Sequence, residues 1–171
     1  MTADLRVRPL AEEDSAAWYA LMCEGTAAYP SAFLLSPKEV AGMGDERRRR
    51  ALAGGNVFGI VSATDELLGI AALHLRTLDR IRHRAEIGPF YVRAAHQGRG
   101  AADTLMNALV ERARSAGAEW LDLWVAEGNP RARAFYLRHG FREIGRREDA
   151  VRIDGVPETD ILMTRHLAPL S

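Results

Sequence analysis

The chain has 171 residues, 47% of them hydrophobic and 27% charged, with 23 basic side chains balancing 23 acidic ones. That length suits a single domain spanning 1–171 that buries roughly two-thirds of its unfolded surface, and a zero net charge gives no global field to draw nucleic acid or an anionic membrane. Cys23 is the only cysteine, which excludes an internal disulfide and a cysteine-rich zinc site; no run approaches the ~18 apolar residues of a membrane span, and the N-terminus lacks a signal-peptide core. A soluble, cytoplasmic protein is therefore expected.

Leu5 to Leu10 alternates apolar and polar residues, which predicts a first strand. Asp14 precedes a helical pattern through Trp18, Leu21 and Met22 that should end near Gly25. Tyr29 to Leu35 is neither clean strand nor clean helix, and its apolar residues could pack or line a pocket. Ser36-Pro37-Lys38-Glu39 is a capping box with proline at the first helical position, predicting a second helix to about Ala53. Its Arg47 to Arg50 run reads as a solvated helix end, with a substrate or phosphate role as the alternative.

Gly54-Gly55-Asn56 breaks that helix, and Val57–Ser62 and Leu67–Leu73 form a predicted hairpin around Ala63–Glu66. After a basic loop comes a strand, Ala85 to Val92, interrupted by Gly88-Pro89, where a proline that cannot donate to the ladder implies an edge or a bulge. Leu105, Met106, Leu109, Val110 and Ala113 then repeat as on one helix face, up to Gly117 in the left-handed capping position. Trp120 to Val125 is a strand with an apolar face and an aromatic one. Asn129-Pro130 opens a short helix through His139, closed by Gly140, and two strands, Phe141 to about Arg147 and Glu158 to Arg165, flank an Asp154-Gly155 turn.

Between the strand ending at Val92 and the helix of Leu105 lies Gln97-Gly98-Arg99-Gly100-Ala101-Ala102. The first turn of a helix leaves backbone N–H groups without partners at the positive end of the dipole, so anions bind there. Gly98 and Gly100 have no Cβ to block a bulky phosphate, and Arg99 and Arg93 add positive charge. Gln97-x-x-Gly100-x-Ala102 resembles the Q/R-x-x-G-x-G/A signature of the GNAT superfamily, the acetyl-CoA-dependent N-acetyltransferases, with Val92 at the place of that family's apolar strand residue. Asn129-x-x-Ala132-x-x-x-Tyr136, followed by Gly140-Phe141, resembles its second signature. The element order β-α-α-β-β-β-α-β-α-β-β is similar to the GNAT fold over nearly the whole chain: α/β, with a central mixed, mostly antiparallel sheet flanked by helices.

The resemblance implies acetyl-CoA as co-substrate and assigns roles. Gln97, Gly98, Arg99, Gly100, Ala101 and Ala102 would hold its pyrophosphate; main-chain groups of Phe90, Tyr91 and Val92 would hold the pantetheine, with an amide near Phe90 polarising the thioester oxygen. Asn129 and Ala132 would face the pantetheine arm, although Asn129 before Pro130 is also a satisfactory helix N-cap. Tyr136 would protonate the departing thiolate, or be core beside Ala132 and Phe135. An alkylamine, with a pKa of about 10, must lose a proton before attack. Glu86, eleven residues before Gln97, matches the base in the histone-acetylating branch; the alternative is a strand carboxylate paired with Arg84 or Arg82.

Other chemistries fit less well. A dinucleotide site would need glycine where Asp103 stands, and a Walker-type loop needs a lysine, whereas Lys38 is the only one. The five histidines are not at metal-ligand spacing, so no metal is predicted. The expected reaction is direct, ternary-complex transfer to a primary amine of a small molecule. Alternatives are a protein N-terminus or lysine as acceptor, or a non-catalytic acyl-CoA sensor on the same fold. Acceptor-lining stretches would be Tyr29–Leu35, Arg76–His83 and Arg147–Pro157, and a homodimer through the late strands is compatible with the residues without being required.

Overall fold

A computed structural model describes residues 4–167. Its strands are β1 (Arg6–Pro9), β2 (Val57–Val61), β3 (Leu67–Leu75), β4 (Arg84–Val92), β5 (Trp120–Ala126), β6 (Arg142–Ile153) and β7 (Val156–His166). Its helices are α1 (Ser15–Ala28), α2 (Pro37–Ala41), α3 (Asp45–Ala53), α4 (Ala101–Ser115) and α5 (Pro130–Arg138). The strands form one mixed seven-stranded sheet in the order β1-β2-β3-β4-β5-β7-β6. β4 and β5 run parallel; β1/β2, β2/β3, β5/β7 and β6/β7 are antiparallel. The expected mixed α/β architecture is therefore found.

Two compact units share the chain: residues up to Ala72 with Pro89–Ala108, and Leu73–Gly88 with residues from Leu109 onward. In the first, Trp18, Leu21 and Met22 of α1 pack with Val40, Leu52, Val61 and Ile70. The helical spacing of the α1 residues places them on one buried stripe. In the second, period-two alternation buries Leu121, Leu123 and Val125 of β5 with Ile161 and Met163 of β7, while Trp120, Asp122 and Trp124 stand half-buried on the opposite face. That alternation matches the pattern expected of Trp120 to Val125.

Three local expectations are corrected. The predicted helix from Ser36 to Ala53 is two helices. Its capping box forms, with Ser36 Oγ accepting from the Glu39 amide at 3.2 Å, but Gly42-Met43-Gly44 interrupts it. Met43 is buried, and its carbonyl accepts Arg48 Nε at 2.7 Å; with low helix propensity on both sides, that anchor ends α2 and starts α3 afresh. Gly25 does not end α1, which continues to Ala28. A Cβ there would lie 2.6 Å from Phe33 Cζ, so this glycine serves the close approach of a ring. The late strands are longer than predicted, and the stretch between Arg147 and Pro157 is β-hairpin, not loop. Asp149, at φ 47°, absorbs a bulge between Arg147 and Val151 that lets pairing resume up to the left-handed Asp154-Gly155 turn.

Candidate active site

In the first unit, the end of β4 leads through a short 3-10 turn, Ala94–His96, to the glycine turn and α4. Gln97 is extended, and its Nε2 donates to the Val92 carbonyl at 2.8 Å, tying the turn to the end of the strand. Gly98 and Gly100 lie at φ 69° and 85°, conformations that L side chains rarely adopt. A Cβ on either would meet nothing within 4 Å, so packing does not demand these glycines; the backbone conformation does, and it leaves open space beside the main chain. Thr104 fastens the first turn of α4 through its amide and hydroxyl, both bonded to the Gly100 carbonyl at 2.9 Å. Ala101 is buried, Ala102 half-buried and Arg99 exposed. This combination of open glycine backbone, helix N-terminus and exposed arginine fits a pyrophosphate.

Arg93 is engaged elsewhere than expected. Its guanidinium bonds Glu24 at 3.2 Å and Glu66 at 3.1 Å, so its charge is shared between two carboxylates. Glu24 also accepts the Tyr91 hydroxyl at 2.7 Å. Burial, reinforced by that carboxylate, pushes the Tyr91 phenol above its ordinary range. The Tyr91 ring sits 6.1 Å from that of Phe33 and 6.0 Å from that of Tyr29, and Tyr29 Oη lies 3.5 Å from Gln97 Oε1. Of the ambiguous Tyr29–Leu35 stretch, Phe33 is core whereas Leu34 is exposed. No sequence signal marked Glu24, because its partners lie 67 and 69 residues away.

In the second unit, Glu86 is in register with Asp122 of β5, and Asp122 with Thr164 of β7, so the three side chains share a sheet face. Glu86 Oε2 accepts Arg76 at 2.8 Å; neither of the two arginines considered from the sequence is its partner. Arg84 instead forks onto Asp122, at 2.8 and 2.6 Å, and reaches Thr164 Oγ1 at 3.3 Å. The Asp122 hydrogen bonds hold the Arg84 guanidinium above its ordinary range. Arg84 lies over the Trp120 ring, 5.3 Å from its centroid, and Arg147 over Trp124 at 4.3 Å. The parallel register of β4 with β5 ends at Ile87↔Leu123, although β5 continues with β7 to Ala126↔Asp160. It stops immediately before Gly88-Pro89, where the proline was expected to disturb the strand.

On α5, Asn129 Oδ1 accepts from the Ala132 amide at 3.1 Å and so caps the helix. Tyr136 is buried against Phe135 and Phe141, with ring centroids 5.4 and 5.9 Å away. Burial pushes its phenol up, so it holds its proton at neutral pH. Among the described residues, no group of three or more His, Cys, Asp or Glu is placed to hold a metal ion, and no helix is long and apolar enough to cross a membrane.

An uncharacterised N-acetyltransferase of Methanocaldococcus jannaschii is 32% identical over 88 residues, a match covering 50% of this chain and 39% of that relative. The chain thus spans about two-fifths of that protein's length. A ribosomal-protein-alanine N-acetyltransferase from Brucella melitensis superposes with a TM-score of 0.80 at 22% identity, covering 94% of this chain and 99% of that one. The yncA structure from Salmonella typhimurium, solved with its cofactor acetyl-CoA, gives 0.81 at 18% identity over 99% and 97%. At those identities the likeness is one of fold. The acetyltransferase (GNAT) family model matches residues 17–141, taking in both the glycine turn and the Asn129 to Phe141 segment, and the chain belongs to that family.

Proposed function

We propose that the protein transfers the acetyl group of acetyl-CoA to the primary amine of a small molecule by direct attack, with no covalent enzyme intermediate. The observation that carries this reading is the Gln97–Ala102 turn, whose two left-handed glycines open the backbone at the N-terminus of α4. Those residues would hold the pyrophosphate, the main chain of Phe90, Tyr91 and Val92 the pantetheine, and the Asn129 amide nitrogen an arm carbonyl. Acetyl-CoA supplies an activated thioester carbonyl.

The chain's own groups then have three tasks. An acceptor arriving as an ammonium must lose a proton, and Glu86, a carboxylate on a half-open sheet face, takes it. An amide N–H near Phe90 stabilises charge developing on the thioester oxygen. Tyr136, kept neutral by burial, gives a proton to the leaving sulfur. Cys23 has no part in this scheme.

The test is thiol release from acetyl-CoA against small amines, amino acids, polyamines and N-terminal or lysine peptides, with Glu86→Gln and Tyr136→Phe beside the parent. Removing a general acid or base should lower kcat by about 10²–10⁴-fold. Selective turnover of small amines that falls in both variants supports the reading; preference for peptides moves it to a protein acetyltransferase. Tight acetyl-CoA binding without any consumed acceptor would make the protein a sensor, and failure to bind acetyl-CoA would overturn the role given to Gln97–Ala102.

A further inference from the structure

The sheet face carrying Glu86 is rich in arginines, and Arg84, Arg147 and Arg76 on it are not equivalent. Arg84 is spent on Asp122, through two bonds, and on Thr164. Arg147 lies on Trp124 and faces Asp160 at 3.6 Å. Arg76, just beyond the end of β3, touches Glu86 through one N–H and one carboxylate oxygen, and both side chains are open to solvent, at 43% and 33% exposure. A guanidinium has five donors and a carboxylate two acceptor oxygens, so this pair has capacity left at both ends.

That matters because the proposed base is already matched by a cation. A simple ammonium meets a carboxylate whose charge is already shared with Arg76, and gains nothing from the guanidinium. A molecule carrying a carboxylate beside its ammonium uses both groups: its carboxylate bonds Arg76 while its ammonium bonds Glu86, and the four charges alternate in sign. An exposed pair is held weakly, so opening it to such a ligand costs little. One step further along the same face Leu162 stands in register with Trp124, whose ring Arg147 overlies, and an apolar substituent would lie against these two side chains.

Resting on the acetyltransferase reading above, we propose that the acceptor is a free α-amino acid with an apolar side chain, its carboxylate bound by Arg76 and its ammonium by Glu86. In the transfer, the ammonium gives one proton to Glu86, the nitrogen bonds the acetyl carbonyl carbon and the carbon–sulfur bond breaks. The sulfur takes the Tyr136 proton, the second nitrogen proton restores Tyr136, and Glu86 returns its proton to water. The products are an N-acetyl amino acid, coenzyme A thiol and one proton.

Steady-state kcat/KM for phenylalanine and leucine against their decarboxylated counterparts, phenethylamine and isoamylamine, tests this in the parent protein, Arg76→Gln and Arg76→Lys. The acids should be preferred by at least about tenfold. That preference should collapse in Arg76→Gln, chiefly through KM for the acid, and return in part in Arg76→Lys. Amines used as well as the acids, or a preference unmoved in Arg76→Gln, would overturn the amino-acid acceptor while leaving the acetyltransferase standing. Thiol release with none of these acceptors, nor with polyamines or peptides, would overturn both.

Discussion

Gly100 and Gly117 have nearly the same backbone conformation, φ 85° and 87°, and a Cβ on either would meet nothing within 4 Å. They differ in place: one opens α4 and the other caps its end. Alanine at either should cost about 1–2 kcal/mol of stability through left-handed strain alone. Only Gly100→Ala should also weaken acetyl-CoA binding, by at least about tenfold in calorimetric titration; equal losses of affinity in both variants would mean the glycine turn has no special role. Asp14 gives a pH-dependent counterpart. Its two bonds to Arg8, at 2.8 and 2.9 Å, are the main cause of a carboxyl held below the usual range, and the Ala11 amide adds to it. A lowered folded value means that this stabilisation is present above about pH 4 and lost as pH falls through the folded value. Asp14→Asn should therefore cost about 1–2 kcal/mol at neutral pH, with a difference that shrinks towards acid, as measured by urea unfolding at several pH values. The glycine turn was legible because its signal is contiguous. The Glu86 partner was not, because Arg84 shares its strand face but turns across to Asp122, a pairing set by β4–β5 register and not by local sequence.

At the scale of elements, the same contrast between local and distant causes decides what could be read. The Ser36 capping box, the Gly117 stop and the Asp154-Gly155 turn each work within a few residues, and all three form. Gly25 looked like a helix stop because the reason for it, the Phe33 ring, lies outside the helix. Gly69 in β3 is a similar case, with a sharper consequence. A Cβ there would stand 2.8 Å from the Tyr91 carbonyl oxygen and 2.9 Å from Val92 Cγ2, and a backbone oxygen in a paired strand cannot swing aside as a side chain can. Gly69→Ala should thus destabilise by about 1–3 kcal/mol despite removing a flexible glycine from a strand. Chemical denaturation would show it as a lower midpoint at unchanged slope; a stability gain would mean that β3 and β4 can separate at no cost.

For the whole molecule, a family model covering residues 17–141 and TM-scores near 0.80 at about 20% identity describe a fold that is shared while most side chains differ. Such a fold says little about the acceptor, since specificity resides in particular groups. The co-substrate is different, because the turn proposed to hold it would do so through its backbone. Acetyl-CoA at about 100 times its dissociation constant should stabilise the folded chain by about 2.7 kcal/mol. For a chain of this size that corresponds to a rise in thermal midpoint of roughly 5–11 °C. S-acetylpantetheine, which lacks the pyrophosphate, should give little of that rise at equal concentration, because the turn at Gly98 and Gly100 would have nothing to bind. A full shift from the pantetheine portion alone would move the affinity away from the glycine turn and onto the β4 main chain. An intact shift in Gly100→Ala would lead to the same conclusion by a second route.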